Sequence, residues 1–140
     1  MSAPKLEPGQ SLADCPATKE FRERHEQVAR AAEEHAAQRQ HAKGKGTARE
    51  RIEQLLDNGS FLEVGQFSGS GVGANAKPSG VVTGFGTIDG RQVAVYSQDF
   101  SVQGGSLGSV EGDKIVRLLD DALRLRIPII GLIDSGGAKI

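Results

Sequence analysis

The chain has 140 residues, enough for one domain that buries roughly two-thirds of its unfolded surface. Its 17 Lys and Arg residues balance 18 Asp and Glu residues, and the net charge of −1 argues against nucleic acid or an anionic membrane as a partner. The single cysteine, Cys15, excludes an internal disulfide. No signal peptide or membrane span is visible either, so we expect a reducing, cytoplasmic location.

A flexible arm and a polar helix are predicted first. Residues 1–17 are rich in proline and poor in apolar side chains, which is typical of a flexible N-terminal arm. Residues 18–41 predict a helix with Thr18 as its N-cap. Its apolar stripe is thin, so we expect this helix to lie along another subunit or a larger body. Its three histidines do not have the spacing of metal ligands on one helical face, and no metal site is predicted.

A basic link and a short helix follow. Lys43 and Lys45 belong to a Lys-Gly-Lys-Gly link, which is either a solvated hinge or a contact to the phosphates of an anionic ligand. Residues 47–50 form a capping box, which predicts the start of a short helix. Residues 57–59 predict its end, and residues 61–64 predict the start of a strand.

The central part predicts a loop and a β-hairpin. Residues 65–80 contain Gly-x-Gly spacings, but no recognisable helix follows them, so the dinucleotide fingerprint fails and a mobile surface loop is predicted. Two β-rich runs, 81–87 and 91–99, are joined by Asp-Gly, the strongest short hairpin signal. Their buried side chains are predicted to be Val81, Val82, Val93, Val95 and Tyr96.

A first Gly-Gly pair, Gly104 and Gly105, lies between the second of these strands and a helix predicted over residues 109–125. Apolar residues repeat along that helix with a period of about 3.6 residues, which predicts one buried face. The residues of this face are Ile115, Leu118, Leu119, Ala122 and Leu123.

A second Gly-Gly pair, Gly136 and Gly137, follows the apolar run 127–133. The run has no alternation, which predicts a strand covered on both faces. Ala138 and Ile140 are predicted to open a helix, so the turn would present unpaired N–H groups at the positive end of a helix dipole. Such a turn suits a carbonyl oxygen that becomes negative during a reaction, although an ordinary strand-to-helix turn has the same sequence.

The order of these elements, β-β-α-β, predicts where the two Gly-Gly turns lie. If the two strands are neighbours, both turns sit at the same edge of the sheet, and their amides could converge on one oxygen. Because the chain ends where the last helix would begin, we expect the 140 residues to be the front piece of a longer protein.

Three motifs in this order resemble the carboxyltransferase (β) subunit of biotin-dependent acyl-CoA carboxylases, of the propionyl-CoA carboxylase type. They are Gly46-Thr47-Ala48-Arg49-Glu50-Arg51 with Leu55-Leu56-Asp57-Asn58-Gly59-Ser60-Phe61; Val82-Thr83-Gly84-Phe85-Gly86-Thr87-Ile88-Asp89-Gly90-Arg91; and Gln98-Asp99-Phe100 with Gly104-Gly105-Ser106-Leu107-Gly108, continuing to Asp134-Ser135-Gly136-Gly137-Ala138. The resemblance covers about residues 18–140. It implies an α/β, crotonase-like fold of stacked ββα units, of which these residues are the N-terminal, acyl-CoA-binding part.

The resemblance also implies site residues. Gly137 and Ala138 would donate N–H groups to the thioester carbonyl of a short-chain acyl-CoA, such as propionyl- or acetyl-CoA, and so stabilise an enolate. That enolate would attack CO2 carried on biotin. The residues implied to contact the coenzyme A thioester are Gly136, Gly104, Gly105, Ser106, Lys43 and Lys45.

Two departures from the family pattern affect these expectations. Lys139 stands where the family usually has Arg, and the two are not interchangeable at a bidentate contact. The family's biotin-binding half is not among these residues, and Met1 is the only methionine, whereas carriers place the biotinylated Lys between methionines. We therefore expect biotin on a separate biotin carboxylase and carrier (α) subunit, a homo-oligomer that is a hexamer by resemblance, and an isolated piece without activity.

Two alternatives remain open from the sequence. The same scaffold could run in reverse as an acyl-CoA decarboxylase. Alternatively, the polar helix over residues 18–41 is consistent with a non-catalytic segment that binds CoA or docks to a partner.

Overall fold

The computed structural model describes residues 15–70 and 77–138. They fall into two compact units that divide within the first helix, α1 (Pro16–His41), between Ala32 and Glu33. The predicted helix is present, and in the first unit α1 is largely exposed. It begins two residues before Thr18, so Thr18 lies in its first turn and is not its N-cap. The predicted flexible arm lies mostly outside the described residues. No helix in the described ranges is long and apolar enough to cross a membrane.

The second unit opens with α2 (Ala48–Leu55), and the predicted capping box at its start is confirmed. The Glu50 N–H donates to Thr47 Oγ1 at 3.1 Å, and the Thr47 N–H donates to the Glu50 carboxylate at 2.8 Å. The helix ends at Leu55, before the predicted stop. Asp57 instead accepts hydrogen bonds from Thr87 Oγ1 and from the N–H groups of residues 89 and 90, and these bonds, that from Thr87 most strongly, lower the pKa of Asp57.

Four strands form the main sheet, and a long helix connects the last two. The strands are β1 (Leu62–Val64), β4 (Val81–Ile88), β5 (Arg91–Gln98) and β6 (Ile129–Leu132), in the spatial order β1-β4-β5-β6. β4 and β5 form the predicted hairpin, with φ of 50° at Asp89 and 74° at Gly90. β5 and β6 are parallel and are joined through α3 (Ser109–Leu125), so the predicted β-β-α-β order is confirmed.

A second, two-stranded sheet corrects the prediction for the glycine-rich segment. β2 (Gly69–Ser70) pairs antiparallel with β3 (Lys77–Pro78). The segment 65–80 is therefore not a loop throughout, because its two ends pair with each other. Residues 71–76 of that segment lie outside the described part of the chain.

The two faces of the sheet bury separate cores, because alternate residues of β5 point to opposite faces. On one face α2 packs over the sheet, with the buried residues Ala48, Ile52, Leu56, Val82, Val93 and Val95. On the other face α3 packs over the sheet, with the buried residues Ala94, Leu118 and Ala122. Tyr96 was predicted to be buried but is only partly so, and it borders the second core.

The buried face of α3 differs from the prediction. Leu118 and Ala122 are buried, but Leu119 is 44% exposed and Leu123 is 78% exposed. The residues that share the buried face are instead the charged Glu111 and Lys114. The side chain of Glu111 accepts from the N–H groups of Gly80 and Gly108, and Lys114 Nζ donates to the Val81 carbonyl at 2.6 Å. Backbone partners in the neighbouring loop and strand therefore make burial of these charges possible.

The last strand also differs from the prediction. β6 is shorter than the predicted run 127–133, and its residues are only half-buried, with Gly131 exposed. The reason is its place at the edge of this sheet, where β5 is its one neighbour among the described strands.

Lys114 gives the fold a pH dependence that a substitution can test. Burial lowers the pKa of Lys114 from 10.5 to about 8. Between these pH values the unfolded chain holds a proton that the folded chain has released, so the free energy of unfolding rises with pH. The rise is up to about 3 kcal/mol, at about 1.4 kcal/mol per pKa unit. We expect Lys114→Met to remove it, measured by urea denaturation at about pH 7.5 and about pH 10.5.

The control for this prediction is Lys19→Met, because Lys19 is exposed on α1. That variant should keep the increase in stability between the two pH values. A Lys114→Met variant that keeps the same increase would contradict the assignment to Lys114.

Candidate active site

The carboxyl ends of β5 and β6 bring the two Gly-Gly turns together, as the sequence predicts. Because the strands are parallel neighbours, the chain leaves both at the same edge of the sheet. The Gly136 N–H donates to the Gly104 carbonyl at 2.8 Å, and the Leu107 N–H donates to the Gly137 carbonyl at 3.2 Å. The two turns are thus bonded directly to each other.

Close approach of the turns requires glycine at position 105. Residues Gln103–Gly105 form a 3₁₀ turn in which all three have positive φ, with 64° at Gly105. A Cβ atom built on Gly105 would lie 2.1 Å from the Asp134 carbonyl oxygen, a distance that no side chain could occupy. The first turn can therefore touch the second only where it has no side chain.

The amides of the two turns do not converge on one oxygen, which corrects that part of the prediction. The Gly105 N–H donates to the Val102 carbonyl at 2.9 Å, within its own turn, and the Gly136 N–H is held by Gly104. Gly137 is not unpaired either, because its N–H donates to Ser135 Oγ at 3.0 Å. A serine two residues earlier closes this local turn, as Ser side chains commonly do.

Ala138 provides the free donor of the second turn. It pairs in parallel with Leu107, and among residues 15–70 and 77–138 no acceptor contacts its N–H. Ala138 and Gly137 are both exposed, so a ligand oxygen can reach this edge. The sequence predicts that Ala138 opens a helix, but Ala138 instead forms a β-bridge, because the two turns lie side by side. Lys139 and Ile140 lie outside the described part of the chain.

Two lysines lie beside these turns. Lys43 Nζ and Lys45 Nζ stand 4.8 Å and 5.2 Å from the centre of the Phe100 ring. Lys45 Nζ also bonds to Asp134 Oδ1 at 3.0 Å, although the two residues are 89 positions apart. Both ammonium groups are exposed over an aromatic ring, in a position where they can meet an anion without leaving the protein surface. The link is therefore solvent-exposed and lies beside the two turns.

The remaining predicted contact residue, Ser106, lies in the first turn. Its Oγ donates to the Gln103 carbonyl at 2.8 Å, so the hydroxyl stabilises the turn through a hydrogen bond within it. Sequence reasoning missed two side chains here, Asp134 and the buried Gln98. The position of Asp134 at the end of a predicted strand could have indicated a site residue, but its ion pair with Lys45 could not be predicted from the sequence.

A separate concavity of about 510 Å³ lies at the opposite end of β5. It is lined by Ile88, Asp89, Arg91, Val93 and Pro128. This concavity holds none of the predicted site residues. The diglycine edge instead combines a main-chain donor with two cations, which are groups that can bind an anionic ligand.

Comparison with known proteins gives a family and a set of relatives. The family model for the carboxyl transferase domain matches residues 39–140. The propionyl-CoA carboxylase beta chain of Saccharopolyspora erythraea is 52% identical over 126 residues, which are 86% of this chain and 23% of that protein. The methylmalonyl-CoA decarboxylase subunit alpha of Veillonella parvula is 48% identical over 113 residues, which are 76% of this chain and 22% of that protein.

Solved structures agree with this result. Transcarboxylase 12S, a hexamer determined with hydrolysed methylmalonyl-coenzyme A bound, matches with a TM-score of 0.77 at 37% identity. The match covers 96% of this chain and 27% of the transcarboxylase chain. The chain thus spans about a quarter of the length of the relatives it matches.

Proposed function

Because the chain belongs to the carboxyl transferase domain family, we propose that it is part of the carboxyltransferase (β) subunit of a biotin-dependent acyl-CoA carboxylase, of the propionyl-CoA carboxylase type. The reaction is transfer of a carboxyl group from carboxybiotin to the α-carbon of a short-chain acyl-CoA, propionyl- or acetyl-CoA. The observation that carries this proposal is the exposed Gly137–Ala138 edge, where the Ala138 N–H has no acceptor among the described residues.

In this proposal the N–H groups of Gly137 and Ala138 bind the thioester carbonyl oxygen. The oxygen takes the place of Ser135 Oγ at Gly137, so in the ground state one hydrogen bond replaces another of similar strength. The α-proton would pass to the biotin ring nitrogen that gives up the CO2, and as it leaves the α-carbon, negative charge develops on the thioester oxygen. Hydrogen bonds to a charged acceptor are about twice as strong as neutral ones, so the two donors favour the enolate over the bound thioester.

Lys43 and Lys45 bind phosphate groups of coenzyme A in the same proposal. Their ammonium groups already lie together over Phe100, within reach of a flexible polyanion. The ion pair between Lys45 and Asp134 fixes that cation near the second turn. The thioester end of the ligand contacts the surface where the two turns meet. That surface is formed by Gly104, Gly105, Gly136 and Ser106.

Carboxybiotin supplies the carboxyl group when the partner brings it to this edge. The described residues fit a role in receiving that group, since the Gly137–Ala138 edge is open to solvent. They do not fit a role in carrying it, because the only methionine is Met1 and no Lys lies between methionines. We assign biotin to a separate biotin carboxylase and carrier (α) subunit, because the relative from Saccharopolyspora erythraea is named as the beta chain of its carboxylase, and that name implies a further chain. A cytoplasmic location and a homo-oligomer, a hexamer as in transcarboxylase 12S, complete the proposal.

The test uses the full-length protein together with its biotin-carrying partner. With ATP and radiolabelled bicarbonate, we expect label to enter propionyl-CoA or acetyl-CoA, and omission of the partner should abolish incorporation. Loss of CO2 from methylmalonyl-CoA without bicarbonate incorporation would instead show a decarboxylase. Absence of both reactions would favour a segment that binds CoA without catalysis, and either result contradicts the proposal.

A further inference from the structure

We propose that Gln98 is a positioning residue that sets the distance between the two Gly-Gly turns and thereby places the Gly137 and Ala138 amides. This inference rests on the proposed function, because it assigns Gln98 a role in the same reaction. Gln98 itself does not touch the reacting atoms. It acts through the backbone of both turns.

The side chain of Gln98 bonds to both turns at once. Its Nε2 donates to the Gly105 carbonyl at 3.3 Å, and its Oε1 accepts from the Asp134 N–H at 3.1 Å. Gln98 is 2% exposed, so water cannot substitute for either partner. A planar amide holds its donor and its acceptor at a fixed separation. Both bonds therefore form only when the Gly105 carbonyl and the Asp134 N–H lie at one particular distance from each other.

The main chain of Gln98 is held from the other side. Arg51 Nη2 donates to the Gln98 carbonyl at 2.5 Å, and the Asp99 N–H donates to the Gly80 carbonyl at 2.9 Å. The end of β5 is thus tied to α2 and to the start of β4. The amide of Gln98 therefore extends from a fixed base toward the turns.

The ladder between β5 and β6 ends just before this point. Its last pair is Ser97 with Leu132, so beyond it the turns depend on a few separate bonds. The contacts of Gly136 with Gly104 and of Leu107 with Gly137 lie at the solvent-facing edge. The two bonds of Gln98 lie in the interior, where an unmade hydrogen bond costs more than at the surface. Gln98 is therefore the side chain best placed to fix the geometry of the site.

Small displacements at this place have large consequences for a reaction that depends on main-chain donors. A shift of about 1 Å in a positioned group can lower the rate about 10²-fold. The loss falls on kcat, because the donors matter most when the oxygen carries charge. A residue that only supports the fold would lower thermal stability without this selective effect.

The experiment compares variants at two glutamines of the same strand in the full-length protein with its biotin-carrying partner. Gln98→Leu removes both bonds, and Gln98→Glu keeps the acceptor but places a carboxylate oxygen against the Gly105 carbonyl. The matched controls are Gln92→Leu and Gln92→Glu, since Gln92 is exposed near the other end of β5. We expect kcat to fall about 10²-fold in the Gln98 variants, with KM for acyl-CoA changed less than about threefold.

A pH profile gives a second readout. A protonated carboxyl has an O–H donor and a free acceptor, so it reproduces the hydrogen-bonding pattern of the amide. Burial raises the pKa of a carboxyl group, and the kcat of Gln98→Glu relative to the unchanged protein should therefore rise between about pH 8 and about pH 6. The Gln98→Leu variant has no such group and should show no recovery.

Three results would overturn the inference. The first is a Gln98→Leu variant that behaves like Gln92→Leu, and the second is a raised KM with unchanged kcat, which marks uniform binding rather than positioning. The third is a Gln98→Glu variant whose loss is independent of pH. If Gln98→Leu does not fold, Gln98→Glu decides by the same measurements. Each of these outcomes leaves the proposed function standing as long as replacement of Gly137 by proline lowers kcat by about 10²-fold or more.

Discussion

Replacement of Gly137 by proline in the full-length protein is expected to lower kcat for carboxyl transfer by at least about 10²- to 10³-fold, the usual effect of losing one oxyanion donor. Proline has no N–H, so one of the two proposed donors disappears. Gly137 also has a φ of 138°, which proline cannot adopt because its ring fixes φ near −65°. The turn must then move, and the Ala138 donor moves with it. The measurement is incorporation of radiolabelled bicarbonate at saturating acyl-CoA.

Two variants control for this effect. Gly137→Ala strains the backbone but keeps the N–H, so its loss of kcat should be smaller than that of the proline variant. Gly59→Pro tests whether proline in any exposed turn is harmful, since Gly59 has a φ of 72° and lies between α2 and β1. We expect Gly59→Pro to lower stability while kcat per folded molecule stays close to normal. Turnover by Gly137→Pro at the rate of the unchanged protein would refute the assignment of Gly137.

Replacement of Gly105 by alanine is expected to have the second-largest effect. The new Cβ would lie 2.1 Å from the Asp134 carbonyl oxygen, so the two turns must separate. The strain should lower the free energy of unfolding by about 1–3 kcal/mol. Separation of the turns should also lower kcat about 10²-fold, because the second turn carries the proposed donors. Thermal unfolding and steady-state kinetics of the same preparation measure both effects.

The matched control is Gly59→Ala. Gly59 has a comparable positive φ of 72°, but a Cβ built there has no atom within 4 Å. It therefore reports the cost of the backbone conformation alone, whereas Gly105→Ala adds the steric contact. Equal losses of stability in the two variants, with normal kcat in both, would show that the contact between the turns has no role.

The local elements could be predicted because their signals are local. The capping box starting at Thr47, the turn at Asp89-Gly90 and the helix over residues 109–125 all depend on neighbours within a few positions. The crotonase-like α/β fold was predicted from the order of three motifs, and the family match and the similarity to transcarboxylase 12S confirm it.

The failure on α3 has a different cause, since it depends on residues distant in sequence. The 3.6-residue periodicity predicts a buried face of α3 that includes Leu119 and Leu123, but both are exposed. The face that packs on the sheet is rotated and includes Glu111 and Lys114. Glu111 and Lys114 could be buried there because backbone groups of residues 80 and 81 bind them. The helix propensities of Glu and Lys do not indicate that distant backbone groups will bind their side chains.

The sequence predicted the place of the candidate site but not the hydrogen bonds that shape it. Parallel strands place both Gly-Gly turns at one edge, and this followed from the element order. The bond from Gly137 to Ser135 is local, yet a serine in a turn has several possible acceptors and donors, so the sequence did not specify it. The bonds of Gln98 to both turns and of Lys45 to Asp134 join distant segments and became visible only in three dimensions.

Infrared difference spectroscopy of bound acyl-CoA is the most direct test of the account. The thioester carbonyl of propionyl-CoA, labelled with carbon-13, should absorb at lower frequency on the full-length protein than in water, because donors polarise its C=O bond. In Gly137→Pro, at ligand concentrations that saturate the variant, most of this shift should disappear. A bound carbonyl with the frequency of the free thioester, or a shift that persists in the proline variant, would contradict stabilisation by the amides of Gly137 and Ala138.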